Sequence, residues 1–360
     1  MSGPTIELTL ALALRDQGAL LVDARSPGEF AEATIPGAIN IPVFDDLERS
    51  RVGTVYKQQG RVEAYRLAVE LVSPKIPAMV DQALAARGDS NRPVVVFCWR
   101  GGMRSRALTA FLELAGIPAL QLVGGHKKFR ALVRDFFECG EWGRLLVLRG
   151  LTGVGKTRLL KRLEAQGYPV LDLEALANHR GSAFGALGLS AQPSQKAFEA
   201  SLWDALRRIP VDGFALTEGE SKLIGRVALP PRLYEALQVE TSLWIEASLD
   251  YRVEIILQEY PARDELKAAF TGPIKALKRR LGGETVERLL GLLEVGQWRL
   301  LVRELMVLYY DPLYSYTRPE QRIEIDIEAE DEGLAGLKAA IDSILRAGKK
   351  TVAASAGTDG

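Results

Sequence analysis

The stretch RLLVLRGLTGVGKTRLLKRLEAQG, residues 144–167, leaves the chain few folds to choose from. Its apolar opening reads as a buried strand, and KTRLLKRLEAQG, closed by glycine, reads as a helix. Between them GLTGVGKT (150–157) satisfies G-x-x-x-x-G-K-[ST], a pattern that has meaning only after a strand and before a helix. Gly150, Gly153 and Gly155, with Thr152 and Val154 among them, let backbone amides wrap a phosphate. Lys156 neutralises the outer oxygens, and Thr157 can hold magnesium where that ion is present. ATP, GTP and other diphosphates all remain open as ligands. FALTEGES offers Glu218 and Glu220 where a strand aspartate for magnesium would normally stand; LWIEAS offers Glu246, and Asp172 in YPVLDLE is the nearby strand aspartate.

Strand patterns recur on both sides of this element. GALLVDARS (18–26), RPVVVFCW (92–99) and ALQLVGG (119–125) precede it, with a helix over Arg104 to Ala115. YPVLDLE (168–174), GFALTEGES (213–221), TSLWIEAS (241–248) and RIEIDIE (322–328) follow it. SQKAFEASLWDALRRI (194–209) is a helix with Phe198, Leu202, Leu206 and Ile209 on one stripe, and Leu334 to Leu345 is a last helix. Such alternation predicts two parallel-sheet α/β domains, with helices and loops from Phe44 to Asn91 and a helical region over 251–308. The boundaries fall at 1–137 and 145–347, with a linker at 138–144 and a disordered small, polar tail from 348 to 360.

The second informative stretch is VVVFCWRGGMRS (94–105), which places Cys98 at the end of a strand. A thiol is nucleophilic as its thiolate, which convergent amides and positive charge favour. Gly101 and Gly102 allow successive amides to turn inward, Arg100 and Arg104 add charge, and a helix starting at Ser105 presents its N-terminus to the same anion. The bland fate of a free cysteine is burial in the core; Cys139, without such neighbours, is read as structural or incidental.

Composition narrows the chemistry. Two cysteines and two histidines, His126 and His179, in 360 residues speak against a structural zinc site or a disulfide framework. Lysine plus arginine equals aspartate plus glutamate at 46 each, so a nucleic-acid surface would have to be a local patch. The start MSGPTIEL lacks a signal peptide's basic and apolar regions, and no apolar run is long enough to span a bilayer, so the expected location is cytoplasmic, away from membranes.

LVDARSPGEFAEATIPGAINIP (21–42), the cysteine loop and LVGGHKKF (122–129) together resemble a rhodanese domain. The resemblance implies that Cys98 carries a transferable sulfur or a chemically similar atom, with Arg25 and Glu29 at recurrent polar positions. Five residues separate Cys98 from Arg104, one more than in common sulfurtransferases, which favours a larger tetrahedral anion or a selenium species.

A rhodanese-like unit followed by a P-loop unit, with FCWRGGMRS, GLTGVGKT, LEALANHRGSAFG (173–185) and EGESKLIG (218–225) in that order, is similar to the tRNA 2-selenouridine synthase family. That resemblance implies a tRNA-modifying transferase acting on 2-thiouridine at the wobble position. Selenophosphate supplies selenium, carried on Cys98 as a selenylsulfide, and geranyl diphosphate supplies a geranyl group for an S-geranyl intermediate. Arg100, Gly101, Gly102, Arg104 and Ser105 would hold the selenophosphate oxygens. Residues 150–157 would hold the diphosphate; no cofactor is firmly implied, and that site has room for magnesium.

His179, Arg180, Ser182 and Phe184 belong to the family-like segment after the second strand of the P-loop unit. Glu218, Glu220, Ser221 and Lys222 stand at a strand's carboxyl end, where ligands sit in open parallel sheets. Both groups are candidates for substrate binding, with Gln195 and Lys196 behind them. For tRNA phosphates the candidates are KALKRR (275–280), Arg299 and Arg303. Trp99, Trp203, Trp244 and Trp298 raise the question of an apolar prenyl pocket, which the letters do not locate. The competing function is a P-loop kinase or ATPase whose rhodanese-like unit is a phosphatase or a regulatory module; a third reading makes that unit a passive interaction domain.

Overall fold

A computed structural model describes residues 3–89, 91–260, 267–315 and 318–355. It divides into two compact units, Met1–Gly140 with Pro193–Asp204, and Glu141–Gln192 with Ala205–Gly360. Each is built on a five-stranded sheet whose strands all run parallel.

In the first unit the strands are β1 (Thr5–Ile6), β2 (Leu21–Asp23), β3 (Ile39–Asn40), β4 (Val94–Phe97) and β5 (Ala119–Leu122), in the order β1-β5-β4-β2-β3. β4 is central and its four residues are fully buried, as expected of a strand covered by helices on both faces. Three helices, Asp46–Gln58, Arg61–Val72 and Ile76–Arg87, occupy the segment before β4. The short helix Pro27–Glu32 starts from a capping box in which Ser26 and Glu29 satisfy each other's backbone amides, with proline in the first turn. β1 and β3 are two-residue edge strands, too short for periodicity to reveal.

The segment 193–204 packs with this first unit although it follows the phosphate loop in sequence. Trp203 meets Phe129 edge-on with ring centroids 5.2 Å apart, and Arg130 pairs with Glu199 at 2.7 Å. The helix there runs Gln195–Leu206, so Phe198, Leu202 and Leu206 form the buried stripe while Ile209 falls in the turn beyond it.

The second unit contains β6 (Arg144–Gly150), β7 (Val170–Leu171), β8 (Phe214–Glu218), a hairpin of β9 (Leu223–Ile224) and β10 (Val227–Ala228), β11 (Ser242–Glu246) and β12 (Arg322–Asp326). The sheet order is β12-β11-β6-β8-β7, so the chain fills one side of β6 and then the other. Ligands bind where such a reversal occurs, outside the carboxyl end of the central strand. The strand expected through residue 174 stops at Leu171, because Asp172 caps the next helix, its carboxylate accepting from the Ala175 amide at 2.7 Å. Helices dominate from Leu249 to Ser315, including a five-residue π-helical turn at Met306–Tyr310. The final helix continues to Ser355, past residue 348, where disorder was expected; residues 356–360 lie outside the described residues. No helix among the described residues is long and apolar enough to cross a membrane.

Candidate active site

In the first unit β4 delivers Cys98 into the edge of an apolar cluster, and the residue is only 3% exposed. Its sulfur nevertheless faces polar groups. The Gly102 amide donates to Sγ at 3.2 Å, and the Ser105 hydroxyl lies 3.1 Å away. Gln121 holds the loop by its carbonyls, donating to Gly101 and Gly102 at 2.8 and 3.0 Å and to the Ser105 hydroxyl at 3.0 Å. The helix begins at Met103, two residues before the expected Ser105, which therefore sits inside the first turn.

Gly124 and Gly125 are part of the same construction. The amides of His126 and Lys127 donate to the carbonyls of Cys98 and Trp99 at 2.9 and 2.8 Å, so the next helix lies against the cysteine loop. Gln121 and Gly125 were not singled out from the sequence; the adjacent glycines of LVGGHKKF were the available signal.

The arginines divide by environment. Arg104 bonds Glu29 at 2.6 Å, and Arg100 is exposed. Burial opposes ionisation of Glu29, but the bond and charge of Arg104 outweigh it and leave its pKa below the ordinary value. Arg25 is buried, bonded through both nitrogens to Asp23 and to the Ala33 carbonyl at 2.6 Å, so its role is to tie β2 to the following helix. Burial first, then the Arg25 charge, pushes His126 down to about 3, which makes it a neutral ring at physiological pH.

In the second unit a cavity of about 820 Å³ lies at the carboxyl end of β6. Gly150, Thr152, Gly153, Gly155, Lys156 and Thr157 form its loop side, while Val154 turns into the core. Gly153 has φ +83°, and a Cβ there would stand 2.8 Å from the Arg252 carbonyl, so the loop could not pass with a larger residue. Arg252 reinforces the turn: it donates to the Thr152 carbonyl at 3.3 Å and forks onto Asp311 with two bonds of 2.8 Å.

Carboxylates crowd this strand end. Glu174 accepts the Thr157 hydroxyl at 3.1 Å. Glu218 is fully buried, accepts the Leu173 amide at 3.3 Å through one oxygen, and leaves the other without a partner. Burial, then the charges of Asp172 and Glu174, raises Glu218 to about 9; burial, then Glu174, raises Glu220 to about 7. Glu218 is thus a neutral acid at pH 7, a state its position on β8 gave no hint of.

The family-like segment also reaches the cavity. His179, Arg180, Ser182 and Phe184 line it, Ser182 lying 3.1 Å from the Tyr260 hydroxyl and the Arg180 guanidinium 5.0 Å above that ring. Glu220 and Ser221 are on the wall, whereas Lys222 is exposed and off it. Much of the remaining wall is carbon, from Trp244, Phe270, Trp298, Leu305, Met306 and Tyr309. Phe270 stacks obliquely on Phe184 at 6.0 Å and meets Trp298 at 5.3 Å. Phe270, Met306 and Tyr309 carry no motif and escaped the sequence reading.

Several sequence candidates fall elsewhere. Gln195 bonds Glu199 at 3.0 Å and Lys196 pairs with Glu32 at 2.6 Å, both within the first unit. Trp203 is core, and Trp99 is 38% exposed beside His126. Arg299 pairs with Glu254 and Arg303 with Asp250, so their charges are compensated locally. Lys275, Lys278, Arg279 and Arg280 are exposed. Cys139 is exposed and donates to the Asp135 carbonyl at 3.1 Å. Glu246 accepts from the Trp244 indole at 3.1 Å.

A metal ion at the phosphate loop would find two oxygen donors side by side, the Thr157 hydroxyl and the Glu174 carboxylate, a set suited to magnesium that keeps phosphate and water ligands. Among the described residues no group of three or more His, Cys, Asp or Glu is placed to hold a metal.

Residues 8–132 match the model of the rhodanese-like domain, and residues 143–339 match that of the tRNA 2-selenouridine synthase AAA domain. Proteins named tRNA 2-selenouridine synthase are similar over most of their length. The one from Ectopseudomonas mendocina is 36% identical over 345 residues, covering 87% of this chain and 91% of the relative. Those from Pseudomonas syringae pv. tomato and Bdellovibrio bacteriovorus are 33% and 34% identical, covering 88% and 84% of this chain and 93% and 89% of theirs. With both domains matched in order, and the likeness running nearly end to end, the chain belongs to the tRNA 2-selenouridine synthase family.

Proposed function

We propose that this protein converts 2-thiouridine at the wobble position of tRNA to 2-selenouridine, using selenophosphate and passing through an S-geranyl intermediate made from geranyl diphosphate. The observation that carries this reading is the composition of one cavity: a phosphate loop on one part of its wall, and Phe270, Trp298, Leu305 and Met306 on another. A prenyl diphosphate has the same two-part chemistry.

Thiocarbonyl sulfur is a poor leaving group, and alkylation turns it into a thioether-like one that selenium can displace. Lys156 and the amides of residues 150–157 would bind the diphosphate before transfer and receive it as it departs, which removes any need for ATP hydrolysis. Thr157 and Glu174 would hold magnesium, which supplies further charge neutralisation to the diphosphate. In the first unit Cys98 would serve the selenium step, in which selenide-level selenium from selenophosphate attacks C2 of the base, the sulfur leaves as geranyl thiol, and the phosphorus passes to water as phosphate. The Gly102 amide donates to the Cys98 sulfur, and Arg100 in the loop with Arg104 in the first helical turn would meet the oxygens of selenophosphate.

Binding measurements test the cavity assignment. Burial is worth about 0.8 kcal/mol per CH₂, so covering half of a geranyl chain should make geranyl diphosphate bind about 10²–10³-fold more tightly than inorganic diphosphate. Calorimetric titration with geranyl diphosphate, inorganic diphosphate and ATP should return that order, with ATP a weak competitor. Equal affinity for the two diphosphates, or tight ATP binding with turnover, would remove the reading.

A further inference from the structure

S-alkylation of 2-thiouridine has a proton requirement that neither loop meets. The reagent carries N3–H and C2=S, whereas the S-geranyl product is neutral only with C2=N3 and no proton on N3. A sulfur lone pair forms the bond to the geranyl C1, the C1–O pair leaves with the diphosphate, and the N3–H pair becomes the C2=N3 bond. The proton needs an acceptor.

We propose that Glu220 is this acceptor, a general base for geranyl transfer in the cavity described above. The inference rests on the proposed function and goes beyond it by assigning the proton. Five carboxylates gather near the phosphate loop, in different surroundings. Asp172 caps a helix through the Ala175 amide, and Glu174 accepts the Thr157 hydroxyl. Glu218 is fully buried and does not reach the cavity wall. Glu259 is among the charges of Lys156, Arg158, Arg180 and Lys161. Glu220 is on the wall and only 8% exposed, so water competes little for its oxygens.

Its surroundings are built for a carboxylate that changes charge. Gly181, at φ +63°, approaches so closely that a Cβ there would come within 2.6 Å of one Glu220 oxygen, which confines the side chain from the side of His179 and Arg180. Lys156 from the phosphate-loop helix and Arg149 from β6 favour the ionised form; Glu174 and burial favour the protonated one. From this place on the cavity wall the carboxylate can take up the proton released from N3.

The test follows S-geranyl-2-thiouridine formation on tRNA against pH at saturating geranyl diphosphate, for wild type, Glu220→Gln and Glu220→Asp. Glu220→Gln should be slower than the wild type by about 10²-fold at neutral pH. Its rate should then recover at alkaline pH, where N3 of the substrate ionises unaided, and Glu220→Asp should retain an intermediate rate with a shifted profile. An undiminished rate in Glu220→Gln, or a loss that persists unchanged at alkaline pH, overturns the assignment. Absence of the geranylated nucleoside in the wild type at every pH would instead overturn the geranyl reading of the site itself.

Discussion

Gly125 lies so close to Cys98 that a Cβ on it would stand 2.2 Å from the Cys98 carbonyl oxygen, and its φ of +56° disfavours any larger residue. The cysteine loop is therefore shaped partly by a residue 27 positions downstream in sequence. Gly125→Ala should destabilise the protein by about 1–3 kcal/mol through overpacking and backbone strain, and should displace the Gly102 amide from the sulfur. Denaturant titration reads the first effect. The rate of thiol alkylation by iodoacetamide at fixed pH reads the second, as a change from the wild-type rate.

Cys98→Ala should separate the two chemistries. Selenouridine formation should cease while S-geranylation persists, because the cavity proposed for geranyl diphosphate is lined by residues of the second unit. Lys156→Ala should do the reverse and reduce geranylation first. Nucleoside analysis of the two variants, each given both donors, checks the pair of outcomes.

Trp298 closes an aromatic contact with Phe270 on the apolar wall. Truncating it to alanine should weaken geranyl diphosphate by about 10- to 100-fold while leaving inorganic diphosphate affinity unchanged. Equal losses for both ligands would mean that the tryptophan serves the fold and not the chain.

The raised pKa of Glu218 makes stability depend on pH in a stated direction. From the ordinary value of 4.5 up to about 9, the folded state holds a proton on Glu218 that the unfolded state has released, so this residue's contribution falls as pH rises through that window. Glu218→Gln keeps the neutral hydrogen-bonding shape. Its melting temperature should gain on the wild type as pH rises from 5 to 9, the difference growing with a limiting slope of about 1.4 kcal/mol per pH unit. A constant difference would show that Glu218 ionises normally in the folded protein.

Arg252 links the phosphate loop to the helical region through Asp311. Since Arg252 is buried, Asp311→Asn should leave a poorly compensated guanidinium and cost about 2–4 kcal/mol, measured by chemical denaturation.

The parallel sheets were legible in the sequence because buried strands such as β4 and β6 are continuous apolar runs bounded by arginine, proline or glycine. The phosphate loop and the cysteine loop were legible because glycine spacing records backbone conformation directly. The prenyl-like wall was not, since Phe270 lies on the helix Lys267–Ala276 while Trp298 and Met306 lie on a later helical run, and only their packing makes them one surface. Nor was the protonation of Glu218, which depends on burial and on Asp172 and Glu174, residues more than 40 positions away. The attachment of residues 193–204 to the first unit was likewise hidden, because a helix pattern specifies which face is buried and not which partner covers it.

The central claim is that one chain performs both alkylation and selenium replacement on a single base. The most direct measurement is mass spectrometry of nucleosides from 2-thiouridine tRNA incubated with the purified protein and with geranyl diphosphate, selenophosphate, or both. The account predicts S-geranyl-2-thiouridine with the first donor alone and 2-selenouridine when both are present. Recovery of unchanged 2-thiouridine under all three conditions would contradict it.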